Sequence, residues 1–216
     1  MTTSTVSHLS RPAASRRGSL AVLALAAIGA LVFFAAAALP YLLSSQYNAA
    51  QYPDRRGWLL LHIVGGAFAL ITGPVQLWLG LSDRGMTWHR RMGIAYMTAV
   101  VASSVGAFYL AFHTDGGWVF GAGLGGLAVA WLSTTGMAYL AIRRSLVDQH
   151  KEWMIRSYVV TFAFVIFRVM YPILQAQKVG TIYEQLAISA WGCWAVPLLI
   201  NELILQGRKI LAVKPT

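Results

Sequence analysis

Histidine and arginine residues inside or beside long apolar runs are the side chains of this sequence that could do chemistry. His62 lies within one such run, His89 and His150 each come just before another, and Arg168 lies well inside the run that follows His150. A charged side chain near the centre of a bilayer costs at least about 2.5 kcal/mol unless a partner or water relieves it. We therefore expect Arg168 to face something polar or anionic inside the protein.

Imidazole rings can ligate haem iron, and membrane b-type cytochromes use histidine pairs from different helices. His89 and His150 form the predicted inner pair, and His62 is the predicted outer ligand, with His113 as the histidine available to it there. Arginine binds carboxylates such as a haem propionate through paired hydrogen bonds, and Arg168 could equally meet a quinone oxygen or a lipid phosphate. The predicted cofactor-binding residues are His62, Gln76, His89, His150, Arg156 and Arg168, the three histidines being the possible haem iron ligands.

Each of these residues also has a structural interpretation. A histidine at a helix end or between helices can simply satisfy a packing hydrogen bond, and His89, His113 and His150 lie at predicted helix ends. Arg168 could extend its long side chain to the lipid headgroups instead of binding a ligand. Both interpretations stay open at the level of the sequence.

The composition places these residues in a membrane protein. Of the 216 residues, 57% are hydrophobic and 11% are charged, whereas soluble domains carry roughly a quarter charged residues. The net charge of +10 fits basic cytoplasmic loops better than a nucleic-acid partner. The single cysteine, Cys193, excludes a disulfide within the chain and a CxxC metal site.

The apolar runs predict an all-α, polytopic bundle of six transmembrane helices, because each run is about as long as the bilayer hydrocarbon is thick. A disordered tail is expected over 1–18, a transmembrane domain over 19–206 with its core at about 57–176, and a basic tail over 207–216. The loops are too short for a separate soluble domain, so any site must lie between the helices or at their ends. The predicted helices cover 19–44, 57–81, 92–113, 118–142, 153–176 and 184–206.

The distribution of basic residues predicts that both termini are cytoplasmic. With that orientation, thirteen of the 17 Lys and Arg residues lie on the cytoplasmic side and three, Arg55, Arg56 and Lys178, lie outside. Arg168 remains within the membrane. Positive residues concentrate in cytoplasmic loops, so this asymmetry fixes the predicted orientation.

Small and polar residues of the second predicted helix recur at helical spacing and should form one face. Lipid tails favour Leu and Ile, so we expect this face to point into the bundle, with a kink at Pro74. The face consists of His62, Gly65, Gly66, Ala69, Gly73 and Gln76.

Two other helices carry comparable patterns. Thr161, Arg168 and Gln175 recur every seven residues and are predicted to share an inward face of the fifth helix. Gly121 and Gly125 of the fourth helix form a small-xxx-small pair, which allows close helix packing and could also mediate a homo-oligomer.

Three segments together carry a resemblance to a known family. They are "GPVQ" after His62, "HRRMGIAY" from His89 and "HKEWMIRSYVVTFAFVIFRV" from His150. They are similar to the bacterial membrane proteins grouped as domain-of-unknown-function family 2306, over roughly residues 55–175. The resemblance implies a multi-pass protein of the bacterial inner membrane. Its motif positions are His62, Pro74, Gln76, His89, Gly93, Tyr96, His150, Trp153, Arg156 and Arg168.

The arrangement is also similar, more distantly, to cytochrome b561-type proteins, which have six helices and haems near both membrane faces. The fourth helix here carries no histidine, so the outer partner that this resemblance implies for His62 is missing. We expect a membrane redox protein that binds haem b or a quinone and meets a redox partner. The alternatives are a carrier or channel that uses Arg168 as its binding charge, and a non-catalytic protein that assembles or anchors a complex.

Overall fold

The computed structural model describes residues 13–40, 55–82 and 84–212, and every regular element within these ranges is helical. Residues 41–44 of the first predicted helix, and residues 1–12 and 213–216 of the two predicted tails, lie outside the described residues. The helices are α1 Ala13–Phe33, continued by a π-helical turn Phe34–Ala38, then α2 Arg56–Ser82, α3 Met86–Phe112, α4 Trp118–Arg143, α5 Val147–Thr161, α6 Ala163–Ala176 and α7 Ile182–Ala212.

Five helices are long and apolar enough to cross a membrane. These are α2, α3, α4, the α5–α6 pair taken as one span, and α7, whereas α1 has a shorter apolar stretch, Leu23–Ala36. Large apolar side chains such as Val101, Leu140 and Leu203 are exposed on the outer faces of these helices, as expected for contact with lipid. The helical, multi-pass architecture is therefore confirmed for five spans, and a sixth crossing by α1 stays a prediction.

Local sequence signals mark where several helices begin. Gly85 precedes α3 with φ of 58° and Gly117 precedes α4 with φ of 87°, conformations that glycine adopts because it has no Cβ. At the start of α7 the Thr181 amide donates to Glu184 Oε2 at 2.7 Å, and the Glu184 amide donates to Thr181 Oγ1 at 3.4 Å. This reciprocal pair is a capping box that satisfies two amides at the helix terminus.

Helices α2, α3, α4 and the α5–α6 span alternate in direction, which gives the bundle two distinct ends. The upper end is defined here by the start of α2 and the end of α3, and the lower end by the start of α3 and the end of α4. Helix α7 runs parallel to α4, because Val119 of α4 contacts Trp191 and Gly126, further along α4, faces Trp194. The lower end is the cytoplasmic one if the prediction from basic residues holds.

Glycines allow α2 and α3 to approach closely. A Cβ at Gly65 would lie 2.8 Å from the Ala99 carbonyl oxygen, and one at Gly106 would lie 2.6 Å from the Trp58 carbonyl oxygen. A backbone atom cannot move aside as a flexible side chain can, so both positions require glycine. The predicted inward face of α2 is confirmed, since its buried residues include Gly66, Ala69, Gly73 and Gln76.

The glycines of α4 are divided between two neighbours. A Cβ at Gly121 would lie 2.6 Å from the Ala111 carbonyl oxygen of α3, whereas one at Gly125 would meet no described atom within 4 Å. Gly123 instead faces Ala190 and Trp191 of α7. The prediction that Gly121 and Gly125 act as a pair within the bundle is therefore wrong, because α4 lies between α3 and α7 and presents a different glycine to each.

The fifth predicted helix is interrupted. The predicted span 153–176 begins earlier, at Val147, and breaks at Phe162, where φ is −69° and ψ is −10°. Just before the break, Thr161 Oγ1 donates to the carbonyl of Ser157 at 2.8 Å, and hydroxyls bonded to the carbonyl four residues back tend to bend helices.

This break changes which residues face inward. Thr161 on α5 is fully buried, whereas Arg168 and Gln175 on α6 are exposed. The prediction of one inward face shared by Thr161, Arg168 and Gln175 is therefore wrong for Gln175, which lines neither described cavity, whereas Arg168 lines the upper cavity described below.

A cluster of buried hydroxyl groups holds α3, α4 and α5 together at mid-depth. Tyr96 Oη lies 3.0 Å from Ser157 Oγ and 2.9 Å from Thr161 Oγ1. Trp131 Nε1 donates to Thr161 Oγ1 at 2.8 Å, and Thr135 Oγ1 lies 2.8 Å from Ser157 Oγ. These five side chains, called here the hydroxyl cluster, are all buried. They satisfy one another where neither water nor lipid could.

The close approach of α2 and α3 can be tested with a pair of glycine substitutions. We expect Gly106→Ala to lower the free energy of unfolding by about 1–3 kcal/mol, because the added methyl group overpacks against backbone. Gly136→Ala, where a Cβ meets no described atom within 4 Å, should be neutral or stabilise by up to about 1 kcal/mol. Thermal unfolding in detergent measures both, and equal unfolding temperatures would contradict this packing.

Candidate functional site

A cavity of about 560 Å³ lies in the upper half of the bundle. Its volume falls within the range of small-molecule sites in proteins. Its walls are mostly apolar and are formed by α2, α3, α4, α6 and α7, with Phe33 of α1. The polar or charged lining side chains include Arg55, His62, Thr114, Asp115, Trp131, Arg168 and Tyr171.

Hydrogen bonds with Ser103 of α3 fix the His62 ring in this wall. Ser103 Oγ donates to the His62 carbonyl at 2.8 Å, and His62 Nδ1 lies 3.1 Å from the Ser103 carbonyl oxygen. This pattern assigns the proton of the neutral ring to Nδ1 and leaves Nε2 as the hydrogen-bond acceptor. The Phe164 ring packs at 5.1 Å between centroids. His62 therefore offers one oriented nitrogen to a partner.

Arg168 lines the same cavity from α6, on a wall that also includes Phe167 and Tyr171. At the upper rim, Arg55 Nη1 lies 3.2 Å from Asp115 Oδ2, which links the start of α2 to the loop between α3 and α4. The structure thus brings His62 and Arg168, predicted to share an interior site, to one cavity. Their role in binding stays a prediction.

The predicted inner histidine pair lies at the lower end. The His89 ring on α3 and the His150 ring on α5 meet edge to face, with centroids 6.3 Å apart. His150 Nδ1 donates to the Ala138 carbonyl of α4 at 2.9 Å, which leaves its Nε2 as the acceptor. The two rings therefore come together from different helices, as the sequence predicts.

Gly80 provides space for the His89 ring beside this pair, and Gly93 lies in ordinary contact with Gln76. A Cβ at Gly93 would lie 3.7 Å from Gln76 Oε1, and one at Gly80 would lie 3.0 Å from His89 Cε1. Gln76 is only 2% exposed. Gln76 Nε2 and His89 Nδ1 are buried without a hydrogen-bond partner in the described part of the chain. Gln76, His89 and His150 thus form a second polar region, called here the lower polar site.

Arg156 lies in a network of ion pairs. Its Nε donates to Glu202 Oε2 at 2.7 Å and its Nη2 donates to Glu202 Oε1 at 2.9 Å, a two-pronged bond that ties α5 to α7. Glu152 lies 3.6 Å away, and the Trp153 ring packs under the guanidinium at 4.7 Å. The side chain predicted to bind a cofactor is thus engaged with two carboxylates. We call the Arg156–Glu202 contact the α5–α7 clamp.

His113 is absent from the residues that line the cavity. Its Nδ1 donates to the Tyr109 carbonyl at 2.8 Å, and its ring stacks on the Tyr109 ring at 4.1 Å between centroids. The His113 ring is exposed at the end of α3. Its contacts are local, as in the interpretation that a histidine at a helix end simply satisfies a packing hydrogen bond.

Several residues that shape these sites were not among those predicted from the sequence. Ser103, which orients His62, and Trp131, which lines the cavity, lie in apolar runs where they resemble ordinary packing residues. The four-residue spacing of Ser157 and Thr161 places both on one face of α5. That spacing could have indicated a polar contact there.

The described residues contain no group of three or more His, Cys, Asp or Glu side chains that could hold a metal ion. Neither of the two cavities described here, the upper one and a shallow groove between α3 and α4, is lined by His89 or His150. A porphyrin between these rings would therefore need the lower polar site to open. Haem b stays a prediction from the sequence.

Comparison with known proteins gives one match. Residues 59–205 match a family model described as "Predicted membrane protein (DUF2306)". No curated protein and no solved structure gives a match. The matched range includes His62, Arg168 and the whole lower polar site, so both polar regions lie within the family domain.

The α5–α7 clamp can be tested at Glu202. Glu202→Gln should lower the free energy of unfolding by about 1–3 kcal/mol, because the buried Arg156 guanidinium loses charge-assisted hydrogen bonds. Asp148→Asn, an acid-to-amide change at an exposed position in the first turn of α5, should have little effect. Thermal unfolding in detergent measures the difference. A Glu202→Gln protein as stable as the Asp148→Asn protein would show that the clamp contributes nothing.

Proposed function

The chain belongs to the DUF2306 family of predicted membrane proteins, and we propose that it binds an isoprenoid quinone in the upper cavity. The single observation that carries the proposal is the placement of His62 and Arg168 in the wall of one largely apolar cavity. A quinone has an oxygen-bearing ring and an apolar tail, which match a largely apolar cavity with a few polar side chains.

The chemistry of the two side chains suits both oxidation states of such a ligand. The guanidinium of Arg168 carries only donors, which suit a quinone carbonyl oxygen. His62 Nε2 is an acceptor when Nδ1 donates to Ser103, and it suits the hydroxyl group of a hydroquinone. The aromatic rings of Trp131, Phe164 and Phe167 provide flat apolar surface for the ligand ring.

The quinone proposal is tested by titration of the purified protein with a short-tailed quinone, followed through tryptophan fluorescence. We expect saturable quenching, because Trp131 lines the cavity. Arg168→Gln and His62→Leu should each weaken binding about tenfold, the effect expected for one lost hydrogen bond to a charged or fixed polar group.

Matched controls lie outside the cavity. Arg143→Gln changes an exposed arginine in the last turn of α4, and His113→Leu changes the exposed histidine at the end of α3. Both should bind the quinone like the unmodified protein. Non-saturable quenching, or equal affinities for all four variants, would contradict the proposal. Saturable binding of inorganic phosphate in place of the quinone would favour an anion carrier.

Haem b at His89 and His150 is the second candidate, favoured by the 6.3 Å separation of two rings from different helices. Its test is the visible spectrum of protein purified from haem-replete cells. A Soret band that is lost in His89→Ala and in His150→Ala but kept in His113→Ala would support a haem at the lower polar site. A colourless unmodified protein would overturn it and leave the quinone proposal unaffected.

A further inference from the structure

At the floor of the cavity, Pro74 removes a hydrogen bond within α2, and a hydrogen bond from α5 replaces it. Pro74 has no N–H, so the carbonyl of Leu70, four residues earlier, lacks its usual partner within α2. Tyr158 Oη of α5 donates to this Leu70 carbonyl at 3.2 Å. Leu70 and Tyr158 are both buried. The bond therefore satisfies a carbonyl that would otherwise be stranded in an apolar interior.

Gly73 provides the space that this bond requires. A Cβ at Gly73 would overlap the ring of Tyr158. Gly73 thus leaves a notch for the tyrosine ring, and Pro74 leaves the Leu70 carbonyl free to accept from its hydroxyl group. Tyr158 Oη and the Leu70 carbonyl are called here the Tyr158 latch.

The latch fixes the turn of α5 from which α6 departs. The Phe162 amide at the helix break donates to the Tyr158 carbonyl at 2.9 Å. On the other side of the same turn, Ser157 and Thr161 are held by the hydroxyl cluster. The last turn of α5 is thus bonded to α2 through one residue and to α3 and α4 through two others.

Beyond the break, α6 is much less buried than α5, and it packs mainly on α7. Of the 14 residues of α6, all of them described, Ala163 is the buried one. Nevertheless Phe164, Phe167 and Arg168 form one wall of the cavity, while Leu70 lines it from α2. A weakly buried segment joined to a fixed one at a break is the arrangement expected for a local opening motion.

We propose that α6 is a gate that swings about Phe162 to admit an amphipathic ligand into the cavity, and that the Tyr158 latch favours the closed position by fixing the turn of α5 from which α6 departs. The gate goes beyond the quinone proposal and does not depend on which ligand binds. Opening moves the wall that carries Phe164 and Phe167 away from Leu70. Closing returns this wall to its position beside Leu70.

The single cysteine of the chain provides a probe of this motion. Cys193 of α7 lines the cavity and is fully buried. A membrane-permeant maleimide can reach its thiol only when the cavity opens. The labelling rate therefore reports the fraction of open molecules, and it requires no bound ligand.

Tyr158→Phe should raise the rate of Cys193 labelling about fivefold, the effect expected for one lost hydrogen bond between neutral groups. The phenylalanine ring still fills the notch at Gly73, so packing is preserved. Tyr139→Phe, which removes a hydroxyl group from an exposed position on α4, should leave the rate unchanged. A Tyr158→Phe rate equal to that of the unmodified protein would overturn the gate.

A second reporter separates local opening from general loosening. Cys193→Ala combined with Ala138→Cys moves the thiol to a fully buried position of α4 beside His150. Tyr158→Phe should leave labelling unchanged in this background, because the lower half stays packed. An equal rise at both positions would show that the variant destabilises the whole bundle, and would overturn the proposed gate.

The role of the proline is tested by a double substitution. Pro74→Ala restores the amide that can bond the Leu70 carbonyl within α2, so the latch becomes redundant. In that background, Tyr158→Phe should change the Cys193 labelling rate by less than about twofold, against fivefold alone. An undiminished effect would show that Tyr158 does not act through Leu70. Failure of quinone binding would leave all these labelling results unaffected.

Discussion

Polar groups buried among apolar helices need partners within the protein, since lipid offers none, and this requirement is met by several bonds between helices of the described bundle. It is met at mid-depth by the hydroxyl cluster around Tyr96, and near the lower end by the two-pronged bond between Arg156 and Glu202. The carbonyl of Leu70 has no amide partner at Pro74 and instead accepts a hydrogen bond from Tyr158. These bonds concentrate at and below mid-depth, where α3, α4, α5 and α7 are tied together.

In the upper half the helices leave a cavity between them, and this cavity explains how Arg168 is tolerated within a membrane span. Glycines draw α2 against α3, while α6 is scarcely buried, packs mainly on α7 and contacts α2 through Phe164. The space between becomes a cavity that His62 and Arg168 both line. A charged group beside a cavity that can hold water or a polar ligand head costs much less than one facing acyl chains. The cavity beside a scarcely buried α6 is what allows both a binding site and a movable wall.

The length of the apolar runs was sufficient to predict the five long spans, helical spacing predicted the inward face of α2, and the placement of His89 and His150 just before two of the runs predicted their meeting. None of these patterns predicted the break at Phe162, because no glycine or proline lies at the break and the neighbouring hydroxyl contact of Thr161 is visible only in the structure. The pairing of Arg156 with Glu202 joins residues 46 positions apart, and no local pattern records such a contact. The glycines of α4 show the same limit, since which of them packs depends on the neighbours on either side of the helix.

The most direct measurement of the central claim is an electron cryo-microscopy map of the protein in lipid nanodiscs prepared with an isoprenoid quinone. We expect ring-shaped density between the side chains of His62 and Arg168, with α6 forming one wall around it. A map in which side chains fill that space, with the guanidinium of Arg168 turned outward to the lipid headgroups, would contradict it.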